Sequence, residues 1–447
     1  MRKACVRLLA LGLLAGLPGL TGAAAQTPVT QRLTLQQAIA EALTANLNGL
    51  LASARVDEAQ GARLRSYAAT LLPRVSAQSY ANVQNRDLRA FGISLPGMPE
   101  VVGPFSNYYI GFAAQQNLVD RSGLHTLRAA ERTVDAGKLD ERDARDLIVR
   151  ITAALYLNAE SAAARVETAQ SRVTDADALL KLAKDKHDAG TATGVDVLRA
   201  QVQLANDKQS LLIARNQYRQ SLLALQRDLG VTPGAPLELA ETLHYQALNT
   251  QQVETLVQSA LTARADFLSL ASQRQSLVEQ QLANHARFYP KLSINGNFGG
   301  IGRSIGGMEG TGLLQGQIDF TLFDHDREGE ARQLASRLHS IDERIADLRR
   351  GIEEDVREAL LSLDSAAEEV DVAAQGQQLA HRELELSQDR FAQGTANNVE
   401  VITAQDELAR AEENYILAVS SHVDAKFALA RALGDTEKTI AEFAASR

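Results

Sequence analysis

Residues 184–205, KDKHDAGTATGVDVLRAQVQLA, return 204 positions later as residues 388–409, QDRFAQGTANNVEVITAQDELA. Carried on to 230 and 434, the two stretches share 16 of 47 positions, among them Gly190/Gly394, Thr191/Thr395, Gln201/Gln405 and Leu229-Gly230/Leu433-Gly434. Self-similarity at a fixed shift means that one structural unit is written twice. The same shift sets Leu118-Val119-Asp120 on Leu322-Phe323-Asp324, but Leu72-Pro73-Arg74 meets Tyr289-Pro290-Lys291 only at 217. The first copy thus holds 13 extra residues, expected in the Pro-rich segment 87–105, since loops absorb insertions cheaply. We divide the chain into 26–240 and 241–447, the second copy carrying a C-terminal tail.

Each copy has the same order of signals. A helical stretch, 35–71 or 251–288, has apolar residues every three or four positions and is closed by Pro73 or Pro290. Two alternating segments follow, near 74–84 and 106–117 in the first copy and 291–299 and 313–322 in the second. Leu292, Ile294 and Phe298 alternate with Ser293, Asn295 and Asn297; Leu314, Ile318 and Phe320 alternate with Gln315, Gln317 and Asp319. A period of two is the strand signature, and each run is about the 9–11 residues a tilted membrane-spanning strand needs. Helical patterns then cover 123–187 and 326–391, with returning ones at 195–229 and 399–433.

At ~1.5 Å per residue the longer patterns reach roughly 100 Å, more than a soluble core uses. The prolines permit it, because none falls within 105–232 or 291–447. Ala162, Val166, Ala169, Val173, Ala176, Leu180 and Ala183 keep steps of four and three, and the shift lands them on Ala366, Val370, Ala373, Gln377, Ala380, Leu384 and Ser387. That spacing predicts left-handed supercoiling, and small seam residues predict closely packed antiparallel helices.

Of 447 residues, 45% are hydrophobic and 23% charged, which excludes disorder, while 4% aromatics and no Trp make a ring-rich enzyme core a poor guess. Twelve of the 20 aromatics fall in 67–118 and 288–323, including Tyr80, Tyr108, Tyr109, Phe112, Phe298 and Phe320. They predict an outward apolar band with aromatic girdles. Residues 1–25 have the form of a secretory signal: Arg2, Lys3 and Arg7, an apolar run 8–20, then Ala23-Ala24-Ala25. Its removal takes Cys5, the one cysteine, and moves the formal charge from -9 to -12, which excludes nucleic acid as partner. Four strands per chain cannot close a membrane barrel, and an open sheet edge is not tolerated in lipid, so several copies must share one barrel.

The duplicated arrangement, with its strand-entry prolines, the Leu-Phe-Asp leaving the second hairpin and the turns AGTATGVDVLRAQ and QGTANNVEVITAQ, resembles the bacterial outer-membrane efflux protein family, the TolC-like channels. The likeness covers essentially the whole mature chain. It implies a mixed α+β membrane protein: a homotrimer with a 12-stranded barrel in outer-membrane lipid and a periplasmic barrel of long helices. It also implies a periplasmic adaptor and an inner-membrane transporter as partners, with no cofactor. By the resemblance, the turns at Gly190, Thr191, Gly194 and Val195, and at Gly394, Thr395 and Val399, meet the adaptor and close the duct.

Glu400 matches the family's constriction acids, with Asp196 its counterpart in the first copy. Two readings stand: a threefold acidic ring favouring cations, or acids that only stabilise a helix N-terminus. Thr403 stands where the family has a second acid, Ala396 where it has a basic residue, and Phe391 where it has a phenol. Pro73, Pro290, Asp120 and Asp324 mark the strand–helix junctions.

Enzyme signals are thin. Asp324-His325-Asp326 has metal-ligand residue types, but its junction position favours helix capping. The glycines of 296–316 separate two alternating segments instead of leading from strand to helix, so they suit a hairpin loop better than a phosphate cradle. The competing class is a soluble periplasmic coiled-coil adaptor of the same export system, which leaves the four alternating segments and the full-length duplication unexplained.

Overall fold

The computed structural model describes residues 31–94, 96–241, 245–248 and 252–436; the expected signal segment and the end of the tail lie outside them. In chain order the elements are β1 (Gln31–Leu33), α1 (Leu35–Ala45), α2 (Leu47–Leu71), β2 (Arg74–Asp87), β3 (Val101–Val119), α3 (Arg121–Asp188), α4 (Gly194–Asp228) and β4 (Leu237–Leu239). The second copy supplies α5 (Val253–Ala263), α6 (Ala265–Ala286), β5 (Lys291–Gly302), β6 (Glu309–Asp319), α7 (His325–Ala392) and α8 (Asn398–Leu433).

Two expectations need correction. The stretches 35–71 and 251–288 are not single helices: Asn46 and Arg264 adopt extended backbone and break each in two. Asn46 caps α2 by accepting from Asn48 N, and its amide reaches Asp228 Oδ1 at 2.8 Å. Arg264 turns its guanidinium inward to Asp266 and Asp355. Both breaks are thus held by side-chain bonds, without proline. Further, four strands is the count of one sheet only, because three-residue β1 and β4 pair in parallel as a second sheet. That sheet closes a buried cluster in which Leu33, Ile39, Val149, Tyr156, Leu225 and Phe427 meet, and Tyr156 donates to Leu33 O at 3.0 Å. Each such fully buried side chain contributes about 1.5–3 kcal/mol.

The larger sheet is antiparallel in the order β2-β3-β5-β6. Its register sorts the side chains. Val75, Val83, Ile110, Phe112, Ile294, Phe298, Leu314 and Ile318 share one face and stay exposed, Leu314 at 80% and Phe298 at 72%. The opposite face carries Ser76, Gln78, Asn82, Asn107, Gln115, Asn295, Asn297, Gln315 and Gln317. Tyr80 and Tyr109 depart from the expected outward girdle: their parity puts them on this amide-rich face, stacked at 5.1 Å. An exposed apolar face backed by a polar one, mainly amides with Arg74, Lys291, Asp319 and Glu309 toward its ends, is the pattern of a sheet between lipid and water.

Beyond the sheet the chain stays four elements wide. The half of α3 nearer the sheet lies between α2 and α6, with α7 beside α6; its far half lies between α4 and α8, with α7 beside α8. One edge of the strip is therefore β2, α2 and α4, and the other is β6 and α7. The Ala-rich seam joins α3 to α4 through Ala176, Leu180, Ala183, Ala200 and Leu204. Among the described residues no helix is long and apolar enough to cross a membrane.

Candidate functional site

The far ends of the helical hairpins carry the residues singled out in the sequence. After α3, Gly190 takes φ +74, and Thr191 N and Oγ1 bond Lys186 O at 2.8 and 3.0 Å. After α7, Gly394 takes φ +76, and Thr395 N and Oγ1 bond Arg390 O at 3.0 and 3.1 Å. Left-handed residues at these positions satisfy the last helical carbonyls, and glycine adopts them without a Cβ penalty. The returning helices are capped differently. Thr193 and Asp196 form a capping box on α4, whose helix begins at Gly194, while Asn397 accepts from Val399 N and Glu400 N. The Thr193 hydroxyl and amide donate to Asp196 and hold its carboxyl below the usual range.

Glu400 is not a bare acid. Arg390 Nη1 bonds its Oε1 at 2.5 Å, bringing a guanidinium from the end of α7 to the start of α8. Thr403 is exposed one turn on, and Val195 and Val399 are 52% and 42% exposed. Phe391 is 5% exposed, packed with Leu179, Leu384, Val401 and Ala404 beneath the Lys186 ammonium. Lys186 also donates to the carbonyls of Phe391 and Ala392, and buried Asn398 donates to Asp196 O at 2.8 Å. The two tips are thus tied to each other.

Lys186, Arg390 and Asn398 were missed by sequence reasoning. A signal existed for the first two, since the shift of 204 sets Lys186 on Arg390 as it sets Asp196 on Glu400. The equivalent cations act differently: Arg390 pairs within its own hairpin, and Lys186 crosses to the other.

At the opposite end, Asp120 caps α3 by accepting from Gly123 N at 2.8 Å, and Lys291 reaches it at 3.0 Å. Asp324 caps α7 by accepting from Asp326 N at 3.1 Å, and Arg287 bonds Asp324, Asp326 and Glu330 at 2.6, 3.3 and 2.9 Å. Pro73 and Pro290 precede β2 and β5 directly. Among the described residues no group of three or more His, Cys, Asp or Glu is disposed to hold a metal.

A four-stranded sheet with one lipid-suited face, continued by two long hairpins with matched glycine turns, defines an α+β membrane-protein architecture. The chain belongs to the family described as outer membrane efflux protein, whose sequence profile matches residues 38–231 and 256–435. It is similar to the pyoverdine export outer membrane protein OpmQ of Pseudomonas aeruginosa, 23% identical over 86% of this chain and 81% of that one. It is also similar to the toluene efflux pump outer membrane protein TtgF of Pseudomonas putida, 24% identical over 73% and 68%. Its fold is that of VceC from Vibrio cholerae (TM-score 0.75, 19% identity, 90% of this chain and 96% of that one) and of the outer-membrane channel OprN (0.74, 18%, 90% of each).

Proposed function

We propose that three copies close edge to edge into an exit duct that passively conducts substrates from an adaptor-docked inner-membrane pump, across periplasm and outer membrane. The observation that carries this is the strip itself. At every level the same two edges are unpaired in the single chain: β2, α2 and α4 on one side, β6 and α7 on the other. Both helical edges expose apolar residues at coiled-coil spacing, Val195, Leu198, Val202 and Leu212 on α4 and Val372, Leu379 and Leu386 on α7. An edge that fits a different edge closes by rotation into a ring. Two copies supply eight strands with little bore, whereas three supply twelve. Relatives named for pyoverdine and toluene favour small organic molecules as cargo.

The test is extraction and conduction. The protein is expected to leave outer-membrane vesicles only with detergent, as a trimer, and to form pores in planar bilayers. Recovery in a periplasmic wash would instead favour the soluble coiled-coil adaptor.

In this reading Gly190, Thr191, Gly194, Val195, Gly394, Thr395 and Val399 present the adaptor-docking tips, and Glu400, Asp196, Thr403 and Phe391 lie at the constriction. Arg390 neutralises much of the Glu400 ring. Glu400→Gln, which leaves Arg390 unpaired, is expected to lower cation preference, and Arg390→Gln to raise it. Reversal potentials unchanged in both variants would remove the pair from the constriction.

A further inference from the structure

On the amide-rich face of the sheet, Tyr80 of β2 and Tyr109 of β3 lie directly opposite each other, their rings 5.1 Å apart and 18° from parallel. Tyr109 is the lower ring. It is 5% exposed and lies over Gly111, two positions along β3, where a Cβ would come within 2.5 Å of the phenol oxygen. Gly299 faces Gly111 on β5, so the strand beside this seat has no side chain either. A ring laid over bare backbone covers the surface that glycines leave open. Tyr109 Oη has no hydrogen-bond partner among the described residues, so the stack and not the hydroxyl sets the position of the ring. A buried hydroxyl left unpaired costs stability, and the fold tolerates that cost while keeping the ring supported. Tyr80 is the upper ring. It is 46% exposed, so the face turned from Tyr109 stays open.

The internal repeat shows that the hairpin itself does not need this pair. The offsets of 217 and 204 carry Tyr80 and Tyr109 onto Asn297 and Leu313, and those two are likewise partners, on β5 and β6. Gly111 falls on Gln315, so the seat is missing there as well. One hairpin is built with an amide and an aliphatic residue where the other has two rings and a glycine.

The same offsets give the far side of Tyr80. They carry the β3–β5 pair Ala113–Asn297 onto Gln317 and Tyr80. In a ring of three copies that pairing is the junction of β6 with the next copy's β2, which sets Gln317 of one copy opposite Tyr80 of its neighbour. Gln78, two positions from Tyr80 on the same face, lines a cleft of about 460 Å³ together with Arg74, Gln115, Asn295 and Asn297.

We propose that the Tyr80–Tyr109 stack is a weak resting site in the bore for flat aromatic solutes that bear neutral hydrogen-bonding groups. The open face of Tyr80 takes the ring, since every aromatic ring presents a face that can stack. Gln78 and the neighbouring copy's Gln317 take its polar substituents, as amides both donate and accept without charge. Tyr109 is a positioning residue that holds Tyr80 from beneath. The place of the site in a bore, and the part of Gln317, rest on the channel reading; the stack lies within one chain.

The probe is 7-amino-4-methylcoumarin, which is flat, uncharged and carries an amine and a carbonyl. Its binding to purified full-length protein in detergent is read by saturation-transfer NMR. Tyr80→Asn, which puts the second hairpin's residue into the first, is expected to weaken binding about fivefold or more, the low end for losing a stacking partner. Tyr80→Phe keeps the ring and is expected to bind within about twofold of the wild type. Gln317→Ala removes one modest hydrogen bond and is expected to weaken binding about threefold; no change there would remove the neighbour's part. Glucose, with hydrogen-bonding groups and no flat ring, is expected not to distinguish wild type from Tyr80→Asn. Coumarin binding unchanged in Tyr80→Asn, or lost equally in Tyr80→Phe, would overturn the site; should Tyr80→Asn not assemble, Tyr80→Leu is read in the same way. Bilayer recordings run in parallel. Pores without tyrosine-dependent binding would sink the site and leave the channel standing, and tyrosine-dependent binding in a protein that forms no pore would do the reverse.

Discussion

Gly394→Val, and to the same effect Gly190→Val, is expected to stop export while trimers still assemble. Both glycines sit at positive φ, +76 and +74, where a β-branched residue costs about 1–2 kcal/mol, confined to one turn. A Cβ at either would meet nothing within 4 Å, so the new side chain points away from its own chain and disturbs no core. What it disturbs is whatever seats on the tips. Accumulation of a fluorescent pump substrate, in cells carrying the variant as the only channel of its pump, is expected to match that of cells with no channel. Normal export with either variant would show that the tips are not the docking surface.

Arg264→Met is expected to cost the most stability, about 3–5 kcal/mol. Its side chain is 7% exposed and bonds Asp266 at 2.7 Å and Asp355 at 2.6 Å. Burial pushes the Asp266 carboxyl up, but the hydrogen bonds and charge of Arg264 bring it below the ordinary range. Without the guanidinium that carboxylate is left part-buried and uncompensated. The backbone has little room to adjust, because Gly434 approaches so closely that a Cβ there would lie 2.8 Å from Arg264 Cα. Asp355→Asn removes only a partner that is 51% exposed and is expected to cost about 1 kcal/mol or less. Denaturation midpoints of the two variants test the ranking, and equal midpoints would contradict it.

How much of this was legible in the sequence depended on the range of the cause. The long helices and the four sheet strands follow from prolines, glycines and periodicity, all local. Even there, parity decided faces more sharply than residue type: Tyr80 and Tyr109 are aromatic yet share a face with Gln78 and Asn107. The breaks at Asn46 and Arg264 were hidden because they depend on Asp228 and Asp355, which are 182 and 91 positions away. Strands of three residues, β1 and β4, are too short to show a period.

At the tips the glycine turns could be read directly, since only backbone conformation is at stake. The partners of Glu400 and Phe391 could not. Arg390 becomes relevant only when a helix end and a helix start are folded together, and Lys186 only when two hairpins lie side by side.

The amide-rich face of the sheet has a consequence for what passes over it. Asparagine and glutamine side chains both donate and accept hydrogen bonds, as water does, and carry no charge. In the proposed duct a solute passing Gln78, Asn295 or Gln317 would trade one modest bond for the next, the fixed charges of that face standing toward its ends, at Arg74, Lys291 and Asp319 and at Glu309. Such a wall behaves as a lubricated sleeve. In the proposed duct it would favour passage over selection and leave the choice of cargo to whatever loads the other end.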